Sequence, residues 1–129
     1  MEQKKKLLII EDERSAAKAL EMKMRSRGYT ATQASNGQEG VDILRNEKFD
    51  LIFCDLMMPF KDGFEVLRFM QRHGITTPVI ITSNLGQTED REKAIHLGAA
   101  DYFVKSDMSL DEIADRTIER LRILTNEKK

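Results

Sequence analysis

Asp50-Leu51-Ile52-Phe53-Cys54-Asp55, running on through Leu56-Met57-Met58-Pro59-Phe60-Lys61-Asp62-Gly63, is the stretch on which the reading of this chain turns. Its apolar residues stand unbroken between two aspartates. A half-buried strand alternates apolar and polar residues, whereas an unbroken run this short reads as a strand covered on both faces, as in a parallel sheet. Pro59 and Gly63 then bracket a loop. Asp55 therefore stands at the carboxyl end of a buried strand. An aspartate that merely caps the next turn fits poorly with the apolar strand before it and Met58-Pro59 after it.

The pattern recurs on both sides. Residues 7–10 form an apolar run stopped by Glu11 and Asp12, residues 78–82 run into Ser83, and residues 100–104 end at Lys105. Residues 29–34 make a weaker strand. Between the strands lie helical patterns. The first covers 15–27, with Ala16, Leu20 and Met24 on one face and Gly28 placed to end it. The second follows the Asn36-Gly37 turn and is marked by Val41, Ile43 and Leu44. The third covers 64–72, and the fourth covers 89–97 and closes at Gly98. The last opens on Ser109-Leu110-Asp111-Glu112, which fits a capping box, and runs to about residue 124. Five strands alternating with five helices imply an α/β domain with a parallel sheet. No repeat, low-complexity segment or linker interrupts the pattern.

At 129 residues the chain has the size of one domain. We expect a single domain over 1–129, with tails at 1–5 and 126–129. Hydrophobic residues are 40% and charged residues 33%, as in globular proteins. The net charge of -1 shows no basic excess of the kind nucleic-acid binding requires. Lys4, Lys5 and Lys6 precede an apolar run, but that run is too short for a signal-peptide core or a membrane span. Cys54 is the single cysteine, so no internal disulfide forms and a reducing, cytoplasmic location is expected. Cys54 itself reads as a packing residue, and His73 and His96 read as surface histidines near helix ends.

Four of the strands end in residues with chemistry. Ligands in open α/β sheets sit beyond the carboxyl ends of the strands, where strand order reverses. In the order 2-1-3-4-5 the reversal lies between strands one and three, where Glu11, Asp12 and Asp55 converge, with Ser83 and Lys105 alongside. Three carboxylates together repel one another. Protonation is one remedy, with raised and coupled pKa values. A bound cation is the other, and oxygen-only ligands favour a hard ion. An aspartate can act as a nucleophile toward phosphorus, and a cation, a lysine and a hydroxyl around it would stabilise charge on the transferring group.

These residues resemble the receiver domains of two-component response regulators, of the chemotaxis-regulator kind. The resemblance runs from Lys6 to about residue 124 and rests on five segments: Ile9-Ile10-Glu11-Asp12-Glu13; residues 50–55 and on through 58–63; residues 78–83; Gly98-Ala99-Ala100-Asp101-Tyr102; and Phe103-Val104-Lys105. It implies a flavodoxin-like, doubly wound sheet in the order 2-1-3-4-5, with helices on both faces. It also implies a signalling switch rather than an enzyme with an external substrate: the chain catalyses only its own aspartyl phosphorylation and dephosphorylation. Asp55 would be the phosphoacceptor. Mg²⁺ (or Mn²⁺) would be held by Asp55, by Asp12, by Glu11 and by the backbone carbonyl of Met57. Ser83 and Lys105 would contact the phosphoryl group, and Tyr102 would be the switch aromatic, changing rotamer as Ser83 is drawn inward. The donor would be a phosphohistidine on a sensor histidine kinase or phosphotransfer protein, or a small acyl phosphate. The output would be a downstream protein bound through helix four, strand five and helix five, without direct nucleic-acid or membrane contact.

The sequence departs from the family pattern in three places. Ser106 follows Lys105 where the family usually has a proline after a cis bond. A cis bond before a non-proline residue costs about 2.5–4 kcal/mol, so the usual loop shape, on which the placement of Lys105 depends, is not expected here. Asn84 follows Ser83 where a smaller residue is usual. Met57, two residues past Asp55, has no polar group to position a hydrolytic water.

Three other functions fit the sequence less well. A phosphatase of the haloacid dehalogenase type needs a second aspartate where Met57 stands. A flavin-mononucleotide module needs hydroxyls and amides where Glu11-Asp12-Glu13 would repel a phosphate. A degenerate receiver acting without phosphorylation is the remaining alternative. The sequence leaves open whether the chain acts alone or is part of a longer regulator.

Overall fold

The computed structural model describes residues 5–84 and 86–127, with side chains described as far as residue 123. The elements run β1 (Lys6–Ile10), α1 (Arg14–Ser26), β2 (Thr30–Ala34), α2 (Gly37–Leu44), β3 (Leu51–Asp55), α3 (Gly63–Arg72), β4 (Val79–Ser83), α4 (Thr88–His96), β5 (Asp101–Val104), a short 3-10 turn (Lys105–Asp107) and α5 (Leu110–Glu127). All strand pairs are parallel, in the order β2-β1-β3-β4-β5. This is the expected doubly wound, flavodoxin-like topology. No described helix is long and apolar enough to cross a membrane.

The unbroken apolar strands are explained by two cores. Successive side chains of a strand point to opposite faces. Leu8, Ile10, Ile52, Cys54 and Ile81 pack on one face, under Val41 of α2, Val66 and Met70 of α3, and Ala94 of α4. Leu7, Ile9, Leu51, Phe53 and Ile80 pack on the other, under Ala17, Leu20 and Met24 of α1 and Ile113 and Leu121 of α5. Every residue of β3 is therefore buried.

Helix ends follow their local signals, and one helix face is set by packing. Gly28 and Gly98 follow their helices with φ of 93° and 104°, the left-handed conformation that ends a helix. Ser109 and Glu112 make the reciprocal bonds of the capping box, each 3.1 Å. The buried stripe of α1 is Ala17, Leu20 and Met24, with Ala16 only half-buried. Positions three and seven apart share a helix face as well as positions four apart do, so the pattern alone allowed either alanine. Of the expected tails, residues 1–4 and 128–129 lie outside the described residues. Residues 126 and 127 belong to α5, which has no glycine or proline to stop it earlier.

Helix α2 approaches the site side of the sheet unusually closely. A Cβ on Gly40 would lie 2.5 Å from the end of the Ile10 side chain, and one on Gly37 would lie 2.1 Å from the Lys61 carbonyl oxygen. The first obstacle is a movable side chain; the second is backbone of the loop after β3. Gly37→Ala is therefore expected to destabilise the fold by about 1–3 kcal/mol. Gly40→Ala should cost clearly less. Urea unfolding of the two variants checks the order, and equal losses would contradict it.

Candidate phosphoryl-acceptor site

The carboxyl ends of β1, β3 and β4 and the start of the turn after β5 meet in one open cleft of about 540 Å³. Glu11, Asp12, Glu13, Asp55, Met57, Ser83, Asn84 and Lys105 line it. The crossover order produces the gathering. Because β1 lies beside β3 and β4 beyond it, the residues just past each strand end face the same opening.

Asp55 is the last residue of β3 and is only 7% exposed. Its Oδ1 accepts the Leu56 backbone N–H at 3.0 Å. Lys105 Nζ lies 3.3 Å from the same oxygen and makes a still closer ion pair with Glu11 Oε1. Glu11 is 7% exposed, and its Oε2 accepts the Glu13 backbone N–H at 3.1 Å. Asp12 is exposed at the rim. One oxygen from each of Glu11, Asp12 and Asp55 falls within 4.8 Å of the others.

The electrostatics follow from this packing. Burial and the Glu11 carboxylate push the Asp55 carboxyl up to about 7, against the opposing pull of the Lys105 ammonium. Burial draws Lys105 down, but its bonds to Glu11 and Asp55 outweigh that and leave it above the ordinary lysine value. The Lys105 ammonium pairs with two of the three carboxylates, Glu11 and Asp55, and offsets part of the crowded charge. An all-oxygen donor set, with one ligand at the open rim, suits a hard divalent cation. Cys54, buried beneath the site, is held far above its ordinary thiol value, first by burial and then by Asp55. It is a packing group and not a nucleophile.

Ser83 ends β4, buried, one register step past Thr82, which pairs with Asp55. Tyr102 is not in the cleft. It is 2% exposed and packs on the α2–α3–α4 side of the sheet, paired in register with Ile81. The expected movement of a switch aromatic therefore starts from a ring that is already inside. The loop after β5 has the trans backbone that the Lys105-Ser106 step leads one to expect. No described peptide bond is cis, and Lys105 opens the short 3-10 turn. From this trans backbone the long side chain of Lys105 still reaches both Glu11 and Asp55.

Several positioning residues escaped the sequence reading. Asp62 and Glu65 form a reciprocal capping box that fixes the start of α3, with bonds of 2.9 and 3.1 Å. Gly63 donates its N–H to the Leu56 carbonyl at 2.8 Å, and a Cβ there would press 2.9 Å from the Asp55 carbonyl. Asp62 followed three residues later by Glu65 is a legible capping signal. The partnership of Glu11 with Lys105, 94 positions apart, has no local signature.

Comparison with known proteins agrees with this geometry. The family profile described as the response regulator receiver domain matches residues 7–117. Transcriptional regulatory protein DltR of Streptococcus agalactiae is 32% identical over 122 residues, which cover 95% of this chain and 52% of DltR. Cell cycle response regulator CtrA of Brucella ovis is 32% identical over 100 residues, covering 78% of this chain and 43% of CtrA. The chain spans about half the length of these relatives. Among solved structures, the receiver domain of Francisella response regulator 1452 superposes with a TM-score of 0.84 at 31% identity, covering 97% of this chain and 99% of that one. A receiver domain from Vibrio parahaemolyticus, of a putative Luxo repressor protein, gives 0.90 at 24% identity, with 98% and 96% covered, and speaks to the fold alone.

Proposed function

The chain belongs to the response regulator receiver family, and on that premise we propose that it is a two-component signalling switch set by a phosphoryl group on Asp55. The observation that carries this reading is the convergence of Glu11, Asp12 and Asp55 within 4.8 Å, with Lys105 3.3 Å from Asp55. An Asp55 carboxylate oxygen attacks phosphorus. The phosphorus–nitrogen bond of a phosphohistidine breaks, and the leaving imidazole takes a proton. With an acyl phosphate the phosphorus–oxygen bond breaks and a carboxylate leaves.

Glu11, Asp12, Asp55 and the Met57 backbone carbonyl would hold Mg²⁺ or Mn²⁺. When bound, the cation neutralises charge on the phosphoryl oxygens and favours ionised Asp55. Lys105 exchanges part of its contact with Glu11 for a phosphoryl oxygen. The Ser83 hydroxyl donates to another. Ser83 drawn toward the cleft changes what Tyr102 packs against, so the face of α4, β5 and α5 takes a second shape. That face then binds a downstream protein in the cytoplasm. The donors are a sensor histidine kinase or a phosphotransfer protein. We propose that residues 1–129 act as one receiver unit and not as an enzyme with an external substrate.

Incubation with acetyl phosphate and Mg²⁺ followed by intact-mass measurement tests this. We expect one phosphoryl adduct, absent in Asp55→Asn and absent when EDTA replaces Mg²⁺. An adduct that persists in Asp55→Asn would sink the assignment. No adduct from acetyl phosphate or from a phosphohistidine protein would favour an interaction module that works without phosphorylation.

A further inference from the structure

Phe60 is the one described non-glycine residue in the left-handed backbone region, with φ of 71°. The Lys61 N–H donates to the Pro59 carbonyl at 2.9 Å, closing a three-residue turn around Phe60 in its rarer, strained hand. The phenyl ring is 81% exposed. Both features oppose stability: the conformation strains a bulky residue, and the ring forgoes burial.

A strained turn persists where its surroundings over-determine it, and here they do. The Gly63–Leu56 bond pins one end, and the mutual cap of Asp62 and Glu65 pins the start of α3. Helix α2 closes the other side at Gly37, against the Lys61 carbonyl. None of these contacts uses the phenyl ring. The scaffold therefore fixes the backbone that carries the ring and leaves the ring in water.

That position is three residues past Met57, which lines the cleft. Phe60 sits on the loop whose Met57, 64% exposed, lines the opening over Asp55. The cleft itself is acidic, with Glu11, Asp12, Glu13 and Asp55 against Lys105. The cleft is small and offers a phosphorylated protein only its phosphoryl group to grip, so further hold on this surface comes from contacts outside it. An exposed aromatic ring on a pinned backbone supplies contact area and has only two side-chain torsions to immobilise on binding. A small acyl phosphate enters without covering the rim, whereas a protein surface far wider than the cleft covers it. We infer that Phe60, flanked by Met57, is the apolar anchor that seats the protein phosphodonor over Asp55. The inference rests on Asp55 being the phosphoacceptor.

Two variants and two donors test it. Phe60→Gly removes the ring and keeps the turn, since glycine adopts this conformation freely. Phe60→Leu keeps an apolar side chain. Adduct formation is followed from acetyl phosphate with Mg²⁺, and from an autophosphorylated histidine-kinase core that transfers to the unsubstituted chain. For Phe60→Gly, transfer from the kinase core should fall about tenfold or more in kcat/KM, chiefly through KM. Labelling by acetyl phosphate should stay within about twofold of the unsubstituted rate, because the ring lies outside the cleft. Phe60→Leu should be intermediate, and Phe60→Gly should melt a few degrees higher as the strain is relieved. Unchanged transfer from the kinase core overturns the inference. Equal losses from both donors also overturn it, because the ring would then act on the cleft itself. If Asp55→Asn is labelled as the unsubstituted chain is, by either donor, the reading of Asp55 fails instead, and is thereby told apart.

Discussion

Asp55→Asn should unfold at a higher temperature than the unsubstituted chain at pH 8 in EDTA, although it loses the phosphoryl adduct. The Asp55 carboxyl is raised from 3.8 to about 7 by burial and by Glu11. Below about pH 4 both the folded and the unfolded chain hold this proton, and aspartate behaves as asparagine does. Between about pH 4 and 7 the unfolded chain releases it while the folded chain keeps it, so stability falls as pH rises. Above about 7 the folded chain carries the full burden of an ionised carboxylate beside Glu11. Asparagine never takes on that charge. Discounting for partial solvent screening and for the lost contact with Lys105, the gain at pH 8 is roughly 1–2 kcal/mol, or about 3–8 °C. Melting curves at pH 4.5, 6 and 8 check the sign, because the gap should open across that window and shrink again with millimolar Mg²⁺. A gap that is independent of pH would contradict the account.

Lys105→Met should have the opposite effect on the metal-free protein. Its ammonium lies against two nearly buried carboxylates, Glu11 and Asp55. Removing one partner from such a group leaves the others uncompensated, which is worth about 2–4 kcal/mol of lost stability at pH 8. The same substitution should strengthen Mg²⁺ binding about tenfold, since the ammonium and a divalent cation compete for the same oxygens. Urea unfolding in EDTA reads the first effect, and a calorimetric Mg²⁺ titration reads the second. Weaker Mg²⁺ binding in Lys105→Met would mean that Lys105 shapes the carboxylate cluster more than it competes with a cation.

How far the sequence could be read depended on how local each cause was. The strands were legible because two covered faces demand apolar residues at every position, as in Leu7 to Ile10. Helix ends were legible where one residue decides them, as at Gly28, Gly98 and Ser109. The acidic cluster was legible because strand ends in this topology converge by geometry. The reach of Lys105 was less legible. It depends on where a long side chain can go from a trans backbone, which the residue after it does not settle. The inward ring of Tyr102 is a rotamer chosen by packing, and no local pattern encodes it. The turn at Phe60 was invisible for a plainer reason: phenylalanine is not a turn residue, and only the clamps at Gly37, Asp62 and Gly63 hold it there.

The two cores separated by the sheet have a consequence for how such a chain can change over generations. A substitution at Val41 or Met70 must be matched by neighbours on its own side of the sheet, but not by Ile113 or Leu121 across it. Changes at well-separated sites without shared partners combine almost additively, so the two halves can accumulate differences on separate clocks. A lineage can then remodel the α4 side to suit a new client protein. Meanwhile β1 and β3, paired from Leu7 with Leu51 to Ile10 with Cys54, keep the carboxylates in place.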